Sequence, residues 1–283
     1  MKVGLLHPGR MGAAVGARLT SHGHTVLWHP HARSGATHQR AIDAGLQPVD
    51  QLSELLAEAT LVLSICPAAA AEQVAELVGE HRYNGIYVEA NAINPRRMRS
   101  IHELLTSTGA SVVDAVISGP PPNDGTGPRF YLAGPQASAS ETRNLLSSSS
   151  IYAQILGDKI GSASALKMAT ASYMRTARLL AALAHALADH HHIAEALMAE
   201  AHHLGVPMLA DRAYLPTVAA RAWRWVPELH EIADTLLEAD LPASLAEASA
   251  DIYELLAPEK DNWSTATENV LRRLKKPSPD ASN

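Results

Sequence analysis

Lys2-Val3-Gly4-Leu5-Leu6-His7-Pro8-Gly9-Arg10-Met11-Gly12 opens the chain with a strand-like apolar run that breaks into a glycine-bearing turn and passes into the helical stretch Ala13 to Leu19. Glycines at such a junction have a physical use. The first N–H groups of a helix have no partner inside it, and the helix dipole adds partial positive charge, so the turn attracts a pyrophosphate. Gly9 permits close approach of that group, and Gly12 permits tight packing of the helix on the sheet. His7 stands where a three-glycine fingerprint has its first glycine. His7, Pro8, Gly9, Arg10, Met11 and Gly12 are therefore the candidate dinucleotide-binding residues. About 20 residues further on, a chain that grips free ribose hydroxyls presents Asp or Glu. This chain has Trp28-His29-Pro30-His31-Ala32-Arg33-Ser34 instead. Arg33 and Ser34, helped by Thr37 and Arg40, offer a charge-assisted grip on a 2′-phosphate, which favours NADP over NAD. A solvated loop arginine is the competing explanation of Arg33.

Outward from this turn, short apolar runs alternate with amphipathic stretches, the pattern of βαβ units and a mostly parallel sheet. The predicted strands are Lys2 to Leu6, Thr25 to His29, Thr60 to Cys66, Gly85 to Asn91, Ser111 to Ser118, Arg129 to Gly134 and Ile151 to Leu156. Asp50 to Glu58, with Asp50 as N-cap, and Ala68 to Glu80 are predicted helices. Ser147 to Ser150 reads as a polar loop. After Gly161 strand signals cease, and Ser162 to about His190 contains neither Gly nor Pro, enough for one helix of about 40 Å. Gly205, Pro207, Pro216, Pro227, Pro242 and Pro258 should divide the rest into ordinary helices. The expected fold class is thus α/β, a Rossmann-type parallel sheet domain over 1–160 followed by an all-α domain over 161–276, with a flexible tail over 277–283. No internal repeat is present.

Length and composition agree with a two-domain globular chain: 283 residues, 47% apolar. No uncharged apolar run is long enough to span a membrane and no signal peptide is recognisable, so the expected address is the cytoplasm. The net charge of -6, with both signs interspersed, lacks the continuous positive surface that nucleic acid requires. Cys66, the single cysteine, reads as an inert buried thiol. His190, His191 and His192 suggest a metal, but consecutive helical residues point about 100° apart and do not converge on one ion. No metal is expected. His202 and His203 lie where a helix C-terminus favours partial positive charge.

Four segments resemble the β-hydroxyacid dehydrogenase and 6-phosphogluconate dehydrogenase-like superfamily, which includes the imine reductases. They are Gly4 to Gly12, Ser64-Ile65-Cys66-Pro67, Asp114-Ala115-Val116-Ile117-Ser118-Gly119 and Gly161-Ser162-Ala163-Ser164-Ala165-Leu166-Lys167. The resemblance implies that Cys66, Pro67 and Asn91 lie at the nicotinamide, that Asn94, Ser118 and Gly119 contact substrate, and that Lys167 is catalytic. Hydride delivery to a C=O or C=N carbon builds charge on the heteroatom, and an adjacent ammonium donates the compensating proton. Helical spacing puts Thr170, Ala171 and Met174 on the face of Lys167, so Ala171 and Met174 join the substrate candidates. Asn94 before Pro95 is equally a helix cap.

Two residues depart from the hydroxyacid pattern. Ala171 stands where that pattern has asparagine, and Pro120 where it has a second glycine. Both fall in the substrate subsite and favour a bulkier or less polar substrate. The leading expectation is an NADPH-dependent reductase of C=N or C=O groups on a small molecule, with imine reduction preferred. A β-hydroxyacid dehydrogenase and a non-catalytic NADPH sensor are the alternatives. The resemblance further implies a homodimer. Tyr173, Arg175 and Arg178 are within reach of the cleft on the long helix, and Trp223 and Trp225 read first as core.

Overall fold

The computed structural model describes residues 1–122 and 127–275. Among these, eight strands form one sheet: β1 (Lys2–Leu6), β2 (Thr25–Trp28), β3 (Gln47–Pro48), β4 (Leu61–Ser64), β5 (Ile86–Glu89), β6 (Ser111–Ser118), β7 (Arg129–Ala133) and β8 (Tyr152–Gly157). Their spatial order is β3-β2-β1-β4-β5-β6-β7-β8. Every neighbouring pair is parallel except β6 and β7. The order reverses beside β1, and such a switch point opens a crevice at the carboxyl ends of the strands.

Helices α1 (Arg10–Ser21), α2 (Gly35–Asp43), α3 (Leu52–Glu58), α4 (Ala71–Glu80), α5 (Pro95–Thr108) and α6 (Gln136–Ser148) connect the strands. Alternate strand residues point to opposite faces, so each central strand feeds two cores. Val3, Leu5, Val26, Leu61, Leu63 and Val88 pack with α1, α2 and α6. Leu6, Leu27, Val62, Tyr87 and Val112 pack with α3, α4 and α5. Burial on both faces is why these strands read as continuous apolar runs.

Helix α7 (Ser162–His190) follows without interruption. The chain divides into two compact units within it, Met1–Lys167 and the part from Met168 onward. The second unit holds the rest of α7 with α8 (Ala194–His203), α9 (Pro207–Ala210), α10 (Leu215–Ala219), α11 (Ala222–Glu238), α12 (Ser244–Glu254) and α13 (Thr267–Arg273). Trp225 and Tyr253 meet edge to face at 5.4 Å in its core. The Arg175 guanidinium lies 4.5 Å over Trp225 and pairs with Glu228 at 2.8 Å. Arg175 therefore serves this core. Trp223 is partly exposed beneath the Lys260 ammonium.

Several local expectations are corrected. Asp50 is not the cap of α3; Gln51 occupies that place without a side-chain cap bond. The two-residue strand β3 was not foreseen, since an exposed Gln-Pro pair carries no strand signal. Ser147 and Ser148 belong to α6, because the Ser148 and Ser149 hydroxyls bond back to the Leu145 carbonyl and let the helix run on. Pro227 lies inside α11 and does not break it. Burial of Trp225, Leu229, Ile232 and Ala233 outweighs the roughly 3 kcal/mol that an interior proline costs. Only His190 of the histidine triplet is helical; His191 and His192 form the turn after α7, and His192 is left-handed at φ 57°. His202 and His203 do close the last turn of α8. Among the described residues no helix is long and apolar enough to cross a membrane, and no group of three His, Cys, Asp or Glu could hold a metal. The expected tail over 277–283 lies outside the described residues.

Candidate dinucleotide site and active site

At the end of β1 the backbone turns through His7, whose φ of 68° is the left-handed conformation that glycine normally supplies. The Gly9 N–H donates to the His7 carbonyl at 2.7 Å, closing the turn. A Cβ on Gly12 would stand 2.7 Å from that carbonyl, so glycine there is a steric requirement. A Cβ on Gly9 would meet nothing within 4 Å; Gly9 faces open space. Gly9 caps α1 with no side-chain bond, and the first turn carries no acidic residue. Pro8 is buried, Met11 half-buried and Arg10 exposed. Burial, and then the nearby Arg33 guanidinium, push the His7 imidazole down to about 4, so it is neutral at pH 7.

Arg33 follows β2 and is half-buried, and its Nε is enclosed with no hydrogen-bond partner. Burial lowers its pKa, while Cys66 acts in the other direction. Arg33 thus interacts with both the β1–α1 turn and the end of β4. Ser34 caps α2, its Oγ accepting from the Thr37 N–H at 3.3 Å, and the Arg40 guanidinium donates to the Thr37 hydroxyl at 2.9 Å. These observations fit a dinucleotide phosphate: an uncapped helix start, a bare glycine, and a desolvated cation with a donor to spare.

The ends of β4 and β5 are tied together by Asn91. Its Oδ1 accepts from the Cys66 N–H at 2.6 Å, and its Nδ2 donates to Ser64 Oγ at 3.1 Å and to Cys66 Sγ at 3.2 Å. Asn91 also bonds Glu89, which sequence reasoning missed. Burial, then the Glu89 carboxyl, push the Cys66 thiol up to about 12. The thiol is thus held in its protonated form, though Cys66 is half-buried and not the fully buried residue the sequence suggested. Pro67 beside it is exposed.

Asp114 on β6, read from the sequence only as part of a motif, is fully buried. Its Oδ2 accepts from the Gly161 and Ala163 N–H groups at 2.9 Å, and its Oδ1 accepts from the Ser164 hydroxyl at 2.8 Å and the Ser164 N–H at 3.2 Å. A carboxylate 50 residues away thus caps α7. The first turn of α7 is bound to the sheet, which explains why the first unit extends to Lys167. One and a half turns on, the Lys167 ammonium donates to the Ile117 carbonyl at 3.3 Å, beside Ser118 at the end of β6. Gly119 follows at φ 101°, and a Cβ there would meet the Gly127 carbonyl at 3.4 Å.

The first unit therefore brings His7 to Gly12, Arg33, Cys66, Asn91, Ser118 and Lys167 to the carboxyl edge of one sheet. Asn94 is buried, and its side chain caps α5 by accepting from the Arg97 N–H at 2.9 Å. Ala171 and Met174 belong to the second unit; Ala171 is packed in its core and Met174 is half-buried. A charged residue inside an otherwise apolar strand, as in Ile86–Glu89 or Val112 to Val116, is the signal that could have found Glu89 and Asp114.

A parallel sheet with its switch point at β1, an open helix start and a lysine at the end of β6 defines a Rossmann-type dinucleotide-binding protein with an added helical unit. Residues 2–157 match the family described as the NAD binding domain of 6-phosphogluconate dehydrogenase. The chain belongs to that family, one of NAD(P)-dependent oxidoreductases. Residues 188–256 match a domain of unknown function, DUF1932. No curated protein matches the chain. Among solved structures it is similar to the 3-hydroxyisobutyrate dehydrogenase of Mycobacterium tuberculosis, at 20% identity and a TM-score of 0.79, over 97% of this chain and 99% of that one. It is similar to an imine reductase of Streptomyces aurantiacus, at 19% identity and a TM-score of 0.63, over 98% of this chain and 100% of that one. A third is a reductive aminase of Aspergillus terreus in complex with NADPH and ethyl levulinate, at 18% identity and a TM-score of 0.58, over 97% and 99%. These likenesses are likenesses of fold.

Proposed function

We propose that the protein is an NADPH-dependent reductase of C=N or C=O groups, imines foremost, in which Lys167 is the general acid. The observation that carries this reading is the tethering of Lys167 to the end of β6 by a helix whose first turn is locked to Asp114. An ammonium fixed at the carboxyl edge of the sheet suits proton donation to a heteroatom as charge develops on it.

His7 to Gly12 would hold the pyrophosphate on the N–H groups of α1, and Arg33 with Ser34 the 2′-phosphate. Cys66, Pro67 and Asn91 would flank the nicotinamide. The bound group supplies a hydride to the substrate carbon. Ser118 and Gly119 orient the substrate, with Asn94 behind them through the cap of α5. The loss of a second glycine at Pro120, next to Gly119, bears on which substrates are accepted and disfavours the contacts a small hydroxy acid would make there. Imines of cyclic or aryl compounds are the preferred class.

The working form in this reading is a homodimer. Tyr173, Leu180 and Leu187 are 70%, 57% and 61% exposed, and their seven-residue spacing lines them along one edge of α7. A long apolar stripe on one helix suits a second copy of that helix. Light scattering should give twice the chain mass, and a monomer mass would refute it. The activity test is a panel of imines, ketones and β-hydroxy acids followed at the nicotinamide absorbance. NADPH oxidation by imines is the expected result. Turnover of hydroxy acids alone would replace this reading with a dehydrogenase, and tight NADPH binding with no turnover would replace it with a sensor.

A further inference from the structure

The buried cluster at the ends of β4 and β5 has a carboxyl at its centre. Glu89 is 1% exposed. Its Oε1 accepts from the backbone N–H and the side-chain amide of Asn91, and its Oε2 accepts from the Tyr87 hydroxyl at 3.2 Å. Asn91 in turn joins this carboxyl to the Ser64 hydroxyl, to which its side-chain amide donates at 3.1 Å. Among the described residues none of the partners of Glu89 is a cation. Of the charged groups on the neighbouring elements, Lys167 donates to the Ile117 carbonyl near the end of β6. Asp114, the register partner of Glu89 on β6, is turned to the start of α7. Arg97 of α5 is bound to Glu72 of α4 and to the Ala68 carbonyl. Cys66, on the β4 side, is a protonated thiol, and Arg33 lies beyond it.

A carboxylate in such a place is desolvated with only neutral donors to hold it, so the neutral acid is favoured, and burial raises its pKa to about 8. Through Asn91 the same carboxyl reaches the Cys66 backbone. A group that fixes this edge and changes charge near pH 8 is sensitive to any charge that arrives there.

We propose that Glu89 is a proton-linked positioning residue of the nicotinamide end of the site, a neutral acid when the reduced cofactor is bound and a carboxylate when the oxidised one is. The inference rests on the reading that Cys66 and Asn91 flank the nicotinamide. An oxidised ring is a cation and a reduced ring is neutral, so only the oxidised form rewards ionisation of Glu89. The balance is simple: binding of the oxidised cofactor to the neutral acid yields the carboxylate complex, and one proton passes to the buffer. Oxidised cofactor is then held more tightly as pH rises, and the reduced form is not.

The experiment measures the affinities of NADPH, by its fluorescence, and of NADP⁺, by competition, between about pH 6.5 and about pH 9.5 on the full chain. Their ratio cancels the titration of the phosphates that both forms share. A ring charge that lowers the pKa of Glu89 by about one unit raises the relative affinity for NADP⁺ about tenfold over that range. Glu89→Gln keeps an acceptor for Asn91 and mimics the neutral acid, so its ratio should be flat. Calorimetry of NADP⁺ binding to the wild-type protein in two buffers of different ionisation enthalpy reads the released proton directly, whether or not the variant folds. A flat wild-type ratio with no proton release overturns the proposal, as does a wild-type slope that Glu89→Gln leaves unchanged. Binding of neither form overturns the dinucleotide reading and this inference with it.

Discussion

Replacing Asp114 separates the hydrogen bonds at the start of α7 from the charge that makes them. Asp114→Ala leaves the N–H groups of Gly161, Ala163 and Ser164 and the Ser164 hydroxyl without their acceptor in a buried place. Each unsatisfied buried donor costs about 1–3 kcal/mol, and water entering the space left by the carboxyl recovers part of it, so the expected loss is about 3–5 kcal/mol. At about 2–4 °C per kcal/mol for a unit of this size, the melting temperature should fall by about 10 °C. Asp114→Asn should cost only about 1 kcal/mol, because the amide oxygen still accepts from Gly161 and Ala163 while the amide nitrogen donates to Ser164 Oγ. Burial raises the pKa of Asp114 against the lowering by its Ser164, Ala163 and Gly161 bonds. A raised carboxyl pKa means that this group's linkage term is fully favourable below the unfolded-state pKa and is lost as pH rises through the folded one, so the charge itself is a burden that asparagine removes. Denaturant unfolding followed by circular dichroism, with turnover measured in parallel, reads both variants. If Asp114→Ala stays within 1 kcal/mol of wild type, or Asp114→Asn falls as far as alanine, the capping argument fails.

Four further outcomes follow from the site. Lys167→Ala should lower turnover by about 10² or more with NADPH binding nearly intact, and unchanged turnover would remove Lys167 as the acid. Arg33→Ala should raise the KM for NADPH much more than that for NADH; equal effects would leave no 2′-phosphate contact. Gly12→Ala drives a Cβ into the His7 carbonyl, which is backbone and cannot swing aside, so dinucleotide titrations should show weakened binding of both oxidised and reduced forms. The depressed pKa of His7 keeps its contribution to stability present above its ordinary value of 6.5, with loss as pH falls toward about 4. His7→Gly should flatten that part of the pH–stability curve, and an unchanged curve would assign the acid sensitivity elsewhere.

The α/β architecture was legible because a strand buried on both faces must be an apolar run, and Lys2 to Leu6 or Leu61 to Ser64 has no other stable place. The long helix was legible from what it lacks, with neither Gly nor Pro from Ser162 to His190. The β1–α1 turn was legible because Gly12 answers a steric demand that few residues meet, while Gly9 leaves the space beside the helix start open. The partners of Asp114 and Glu89 were not, since Asp114 bonds residues about 50 positions away and Glu89 is joined through Asn91 to Ser64 on a neighbouring strand. Ala171 has the helical spacing of a cleft residue but sits in the core of the second unit, because spacing fixes a face and not what covers it. Pro227 misled for a related reason: a local penalty is small beside the burial of its neighbours.

The left-handed histidine at the mouth of β1 bears on how strongly the site can grip. Glycine at position 7 would wander among many backbone shapes before any ligand arrived. A residue with a side chain is strained at φ 68°, so the turn keeps its working form because the fold around it, with the Gly9 N–H bond to the His7 carbonyl, holds it there. Ordering entropy that a floppy turn would exact from each incoming dinucleotide has been settled in advance, and more of the contact energy is left to appear as affinity.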